Sequence, residues 1–313
     1  MRQERFSTAL GLAAIVLWSS TFAVSRSLGE KVGVLTAGTL MLIIGGTLGC
    51  LYVGIVQRRM AAMLHLPRAY LLGCGSLLAV YMVCLFLSIG LAANRQQTIE
   101  VGIVNYLWPG LTLAFAVPLL GTKVRRTFFI GIAIAVAGAA LAPLRLGEYS
   151  AEGLLQNLRT NPLPYGLMLV GAVAWALYSV LSRRWAGGAE GGAVSLFTLA
   201  AGLVLLAIRM GFEQPSEWDG RAFAELAFMA VFPVMLAYAF WDRAMRRGNV
   251  TLVAAASYLA PVISTVLSAL YLQVDLGWNV WLACVLTVAG AALAERSVIE
   301  QQGRPRGAAP TGG

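Results

Sequence analysis

"IEVGIVNYLWPGLT", residues 99–112, lies in a stretch apolar enough to cross a bilayer, yet it carries a carboxylate, an amide, two large aromatics and a proline. The order of its centre, "NYLWP" (105–109), returns as "SYLAP" at 257–261, 152 residues later. Two more echoes fall in the same order along the chain. "VAGAALA" stands at 136–142 and at 288–294, again 152 residues apart, and "WSSTFAVSR" (18–26) lies over "WALYSVLSR" (175–183) at an offset of 157. Three matches at nearly one offset mark a duplicated unit.

The surroundings of these motifs are hydrocarbon-like. Of 313 residues, 59% are hydrophobic and 12% charged, and the mean hydropathy is +0.76. Soluble domains are nearer 45–50% apolar and about 25% charged, so most of this apolar surface must face lipid or other buried helices. A membrane span needs about twenty mainly apolar residues. Ten can be drawn, at 7–25, 33–56, 69–91, 97–120, 127–143, 163–182, 192–212, 222–241, 250–272 and 277–294. The expected fold is an all-α integral membrane protein, ten transmembrane helices forming two five-helix inverted-topology repeats around a central cavity. Residues 1–143 form the first repeat, 144–162 a polar, proline-containing linker, 163–296 the second repeat and 297–313 a disordered tail. Because each half has an odd number of spans, the second copy sits upside-down. Secondary transporters are often built this way, with the solute site where the copies meet near mid-membrane.

Charge placement narrows the class. The net charge of +9 comes in short clusters between apolar runs (Arg58-Arg59, Arg125-Arg126, Arg183-Arg184, Arg246-Arg247), the pattern of topology determinants, so no nucleic-acid partner is expected. Of the 23 Lys and Arg residues, 16 fall on one side of the ten-span arrangement and seven on the other. Basic loops stay inside, which puts both termini in the cytoplasm. Arg2 and Arg5 precede an apolar run with no evident small-x-small cleavage site, so an uncleaved first span is expected. The four cysteines lie in apolar stretches without a Cys-x-x-Cys pair and read as small buried hydrophobes. No Walker loop, histidine cluster or Ser/His/Asp set occurs, so neither an enzyme nor a metal or cofactor is expected.

Helical spacing gathers the polar residues into stripes. Trp18, Thr21 and Ser25 share a face at i, i+3 and i+7, as do Trp175, Tyr178 and Ser182. Asn105, Pro109 and Thr112 align beside Trp108, and their counterparts are Ser257, Pro261 and Ser264. Lipid offers such groups no partners, so the stripes should point inward. Pro109 and Pro261 cannot bond the carbonyls of Asn105 and Ser257. Carbonyls so freed are tolerated only against protein or a wet cavity, so these are either kinks satisfied by neighbours or a solute lining. Tyr81 and Tyr238 lie on spans expected to flank the stripes. Trp241, Trp278 and Trp281, at span ends, read as interfacial anchors, and Asp242 and Asp275 as loop charges. Gly45, Gly49, Gly138 and Gly290 suit close helix packing. Glu100 is the one acidic residue well within a span. If buried, it is paired or a candidate for energy coupling; one turn from Arg95, it is equally readable as a boundary charge.

Two five-span halves, each with a proline-bearing fourth span and a small-residue fifth, resemble the EamA-type members of the drug/metabolite transporter superfamily over nearly the whole chain. Within that superfamily, "IEVGIVNYLWPGLT" is similar to the fourth span of the YddG-type aromatic amino acid exporters of bacteria. The resemblance implies efflux of phenylalanine, tyrosine, tryptophan and related compounds through a central cavity by alternating access. It points to Trp108 as a pocket residue, with Tyr106 and Asn105 in the same motif. Two superfamily features are missing: a Gly-Glu pair after the fourth and ninth spans, where this chain reads "LLGTKV" and "LYLQVD", and the first-span glutamate with which small multidrug members exchange protons.

A pocket of this kind needs flat apolar walls, which Trp108, Trp175, Tyr178 and Tyr258 would supply by stacking, at about 0.5–1.5 kcal/mol each. The freed carbonyls of Asn105 and Ser257, with cation–π help from Trp108, would take the ammonium group. Asn105, Ser257 and Thr21 would donate to the carboxylate, since no arginine is expected mid-span. The expected partners are a small-molecule substrate and the lipid bilayer, with the chain working as a monomer. Two alternatives stay open: export of another small solute (a drug, a purine or a different amino acid), and a membrane scaffold or sensor that transports nothing.

Overall fold

The computed structural model describes residues 2–19, 22–141, 151–186, 192–212, 216–264, 266 and 278–299. Nearly all of them are helical. The first half contains α1 (Arg2–Ser19), α2 (Phe22–Val32), α3 (Val34–Leu51), α4 (Met60–Leu64), α5 (Gly75–Gly90), α6 (Arg95–Asn105), α7 (Trp108–Leu120) and α8 (Thr127–Leu141). After α9 (Ala151–Thr160) come α10 (Leu163–Ala186), α11 (Val194–Arg209), α12 (Gly220–Met229), α13 (Ala237–Arg247), α14 (Val250–Ala256) and α15 (Trp278–Arg296). Wider π turns extend α3 (Tyr52–Val56), precede α5 (Ala69–Cys74) and join α12 to α13 (Ala230–Leu236).

Among the described residues, five helical stretches are long and apolar enough to cross a membrane: Val34–Val56, Ala69–Gly90, Gln96–Leu120, Leu163–Ala186 and Gly220–Arg247. Shorter apolar helices occupy Thr127–Leu141, Val194–Arg209, Val250–Ser264 and Val280–Ala294. Large apolar side chains such as Leu72, Ile55, Phe129 and Val285 stand more than half exposed on their outer faces, a surface suited to acyl chains rather than water.

The two proline motifs break their helices in the same register. Within Gln96–Leu120 the helix stops at Asn105 and restarts at Trp108; the Tyr106 N–H is shared between the carbonyls of Gly102 and Ile103. Pro109 thus sits in the first turn of α7, where its missing N–H leaves no gap. In the second half the turn at Ser257–Leu259 tightens to 3-10 geometry just before Pro261. Residues 257–259 are the counterparts of 105–107 at the 152-residue offset.

Packing pairs the halves helix by helix. α3 lies on α11, α7 on α14 and α8 on α15, each against its own counterpart, while α5–α10 and α1–α13 are exchanged when the halves are swapped. Counterparts run antiparallel. Gly131 meets Ala294 and Gly138 meets Thr287; likewise Gly46 meets Leu199 and Gly49 meets Ser195. Ascending numbers on one helix face descending numbers on the other, the relation that inverted repeats require. Each glycine lets two backbones approach where a Cβ would collide.

Three segments depart from the sequence reading. Helix extends past residue 25, where the first span was drawn to end: α2 runs from Phe22 to Val32 and carries Arg26, Glu30 and Lys31. Within the linker, α9 is a helix that packs on α6, with Asn157 buried; positions 142–150 lie outside the described residues. At the start of the expected disordered tail, β2 (Val298–Ile299) pairs antiparallel with β1 (Lys123–Val124). Arg125 N donates to Ser297 O at 2.9 Å, and the hydroxyls of Thr127 and Ser297 meet at 2.7 Å. This ribbon ties the entry of α8 to the exit of α15. The remainder of the tail, 300–313, lies outside the described residues.

Candidate functional site

Seven aromatic side chains from both halves converge where α1, α5, α7, α10 and α13 meet. Trp175 on α10 is their hub. Its ring centroid lies 5.7 Å from Trp18, 4.8 Å from Tyr81, 6.1 Å from Trp108, 5.3 Å from Tyr178, 5.7 Å from Tyr238 and 5.8 Å from Trp241. Trp108 stands edge-on to Trp241 at 5.2 Å, and Trp18 lies 5.5 Å from Trp241 and 5.3 Å from Tyr238. Offset and edge-to-face contacts of this kind are the favourable ring geometries. The polar edges are also satisfied: Trp241 Nε1 donates to Ser179 Oγ at 3.1 Å and Trp18 Nε1 to Pro233 O at 3.0 Å.

Spacing produces the cluster. On α10, Trp175, Tyr178, Ser179 and Ser182 share one face and all are buried; on α13, Tyr238, Trp241, Asp242 and Met245 share a face at i, i+3, i+4 and i+7, with Tyr238 half-buried and the other three buried. That second face corrects the sequence reading. Trp241 is no interfacial anchor, being fully buried at the centre of the rings. Asp242 is not a loop charge but is 1% exposed, and Arg246, counted above among the topology-setting cations, is 7% exposed and bonded to it. Arg246 Nε reaches Asp242 Oδ2 at 2.9 Å. The other carboxylate oxygen accepts from Tyr70 at 2.9 Å and from Tyr178 at 3.3 Å. The helix continues to Arg247, past residue 241 where the expected span ended, and α1 and α10 pack against it. By contrast, Trp278 and Trp281 are 65% and 62% exposed, as anchors should be.

The other candidates fall into three places. Asn105 lies beside the Tyr81 hydroxyl, at the edge of the rings. Tyr106 and Tyr258 belong to a second apolar cluster with Leu113 and Phe128, so Tyr258 does not stack with the Trp175 group. Its hydroxyl instead rests on Gly110, where a side chain would strike it. Pro109, Pro261 and Ser257 are buried; the Ser257 hydroxyl turns back onto Val253 O at 2.8 Å, and Thr112 onto Trp108 O at 2.8 Å. Thr21 lies outside the described residues.

Glu100 is buried, one end of α6 away from the rings. Gln96 Nε2 donates to it at 2.8 Å, Asn157 Nδ2 at 3.1 Å, and Tyr165 through its hydroxyl. Asn94, Gln97 and Asn161 extend this amide network. Next to it lies a cleft lined by Ala93, Asn94, Gln96, Gly153, Gln156, Asn157 and Thr160.

A duplicated helical bundle with a ring-lined seam defines a membrane transporter, and the chain belongs to the EamA-like transporter family, whose profile matches residues 5–143 and 163–295. It is similar to the aromatic amino acid exporter YddG of Escherichia coli K12, at 32% identity over 287 residues, 92% of this chain and 96% of that one. The protein of the same name from Ancylobacter novellus is 32% identical over 292 residues, with the same shares covered. A solved crystal structure superposes with a TM-score of 0.77 at 30% identity, over 92% of this chain and 96% of its own. The chain is therefore a multi-pass inner-membrane protein of the drug/metabolite transporter superfamily.

Proposed function

We propose that this protein exports aromatic amino acids by alternating access, through ten spans with both termini in the cytoplasm. One observation carries the reading: rings from both oppositely oriented halves meet at their seam. A solute ring can replace one of these ring–ring contacts without exposing aromatic surface to water. On this reading Trp108, Trp175, Tyr178 and Tyr81 hold the substrate ring, and Asn105 stands at its edge. Pro109 and Pro261, with Tyr106, Ser257 and Tyr258 around them, form the paired breaks about which the halves rock. Transport needs one chain. The test is counterflow of labelled phenylalanine by purified protein in vesicles. Trp108→Ala abolishes it while the protein remains monodisperse; unchanged flux would remove Trp108 from the pocket. Competition by a panel of unlabelled solutes then separates aromatic amino acids from aliphatic ones, purines and drugs.

A further inference from the structure

The ion pair on α13 takes no part in ring stacking, yet it adjoins the rings. A buried ion pair contributes little net stability, and apolar residues of similar volume commonly replace it without loss. Ionisable residues deep in a membrane bundle mark solute or ion paths. Asp242 follows Trp241 directly in sequence, and Tyr178 connects both environments: its ring is 5.3 Å from Trp175 and its hydroxyl 3.3 Å from Asp242 Oδ1. One side chain thus spans from ring cluster to carboxylate, which is also the reach of an aromatic amino acid from ring to α-carbon substituents.

We propose that Asp242 and Arg246 form the head-group subsite: Asp242 takes the ammonium group of a zwitterionic amino acid and Arg246 its carboxylate, with the solute ring among Trp108, Trp175 and Trp241. This rests on the aromatic amino acid reading above. The exchange conserves charge. The internal pair opens, two intermolecular pairs replace it, and neither buried ion is left uncompensated. Arg is suited to the carboxylate because its planar fork matches two oxygens at once. Tyr70, which donates to Asp242 Oδ1 at 2.9 Å and accepts from Ala193 N at 3.2 Å, helps hold the carboxylate in place. A solute carrying only one of the two charges leaves one protein ion without a partner. The subsite therefore selects zwitterions over aromatic amines and aromatic acids.

The test is inhibition of phenylalanine counterflow in reconstituted vesicles by unlabelled phenylalanine, phenethylamine and 3-phenylpropanoate. In the parent protein, phenylalanine competes at least tenfold better than either analogue. Asp242→Asn leaves a lone cation, so 3-phenylpropanoate rises to the potency of phenylalanine or above it; Arg246→Gln leaves a lone anion, so phenethylamine does. A structural latch would instead lower phenylalanine counterflow in the variants while preserving the order of the three competitors, and that result overturns the proposal. Should either single variant fail to fold, the double variant Asp242→Asn/Arg246→Gln, which buries no unpaired charge, decides. It loses the preference for the zwitterion to within twofold, and a retained preference overturns the proposal. Equal competition by all three compounds in the parent overturns the subsite while transport of aromatics stands. No phenylalanine counterflow at all overturns the export reading and the subsite with it.

Discussion

Trp175 touches six other rings and is 2% exposed, so its removal opens a cavity at the seam of the halves. Trp175→Ala is expected to cost about 3–5 kcal/mol, read as a lowered thermal midpoint in detergent, and Trp175→Phe markedly less. Glu100 invites a different experiment, because its three donors leave an amide badly matched. Glu100→Gln should destabilise by about 1–3 kcal/mol. If transport is proton-coupled through this carboxylate, counterflow survives in the variant while flux driven by an imposed pH gradient is lost; equal behaviour in both assays makes the role structural. Part of the cluster was legible from spacing, since Trp18 and Trp175 stand at matching positions of a duplicated motif and Tyr178 shares the Trp175 face. Trp241 and Asp242 were not, for a physical reason. A Trp-Asp pair where an apolar run gives way to arginines is also what an interfacial helix end looks like. Only the packing of α1 and α10 over α13 distinguishes them. The signal available in the sequence was the i, i+4 spacing of Asp242 and Arg246 on the face that carries Tyr238 and Trp241.

Between helices, the antiparallel pairs depend on missing side chains. A Cβ at Gly138 would lie 2.6 Å from Thr287 Oγ1 and 2.9 Å from Ala283 O. Gly138→Leu forces α8 and α15 apart and is expected to cost about 1–3 kcal/mol or more, seen as a lower thermal midpoint. Gly166→Ala is the control: nothing lies within 4 Å of its added Cβ, and a helical Gly→Ala change gains about 0.5–1 kcal/mol. Asp219 supplies a pH test outside the spans. It caps α12 by accepting from Ala222 N at 2.7 Å and pairs with Lys31. The Lys31 hydrogen bond, then the helix N–H, holds its carboxyl below the usual range. A depressed folded pKa contributes stability above the unfolded value of about 3.9 and loses it as the pH falls below that. The drop in thermal midpoint between pH 6 and pH 3 should therefore be smaller in Asp219→Ala. Prolines announced the two helix breaks, but where each helix stops depends on how the neighbouring carbonyls find partners. Likewise, α9 and the β1–β2 ribbon were illegible because short polar segments become regular only by docking on something else.

The pairing of helices maps onto itself when the halves are exchanged, so each face of the membrane meets the same architecture presented from opposite ends. That arrangement was readable from the 152-residue offset, because duplication leaves its trace in the order of residues even where identity has decayed. Orientation in the bilayer is a separate matter, decided by where the arginines cluster. In a cysteine-free background, His65→Cys is expected to react with an impermeant thiol reagent only in inside-out vesicles, and Glu217→Cys only in intact cells. The reverse pattern would invert the topology.

The ribbon between Lys123–Val124 and Val298–Ile299 has a mechanical consequence. It staples the last helix of one copy to the last helix of the other at a single rim, where glycines have already locked the two helices together. Those two helices must travel as one keel. Any tilting that admits a solute has to be carried by the remaining helices, hinged on the far side from that fastening.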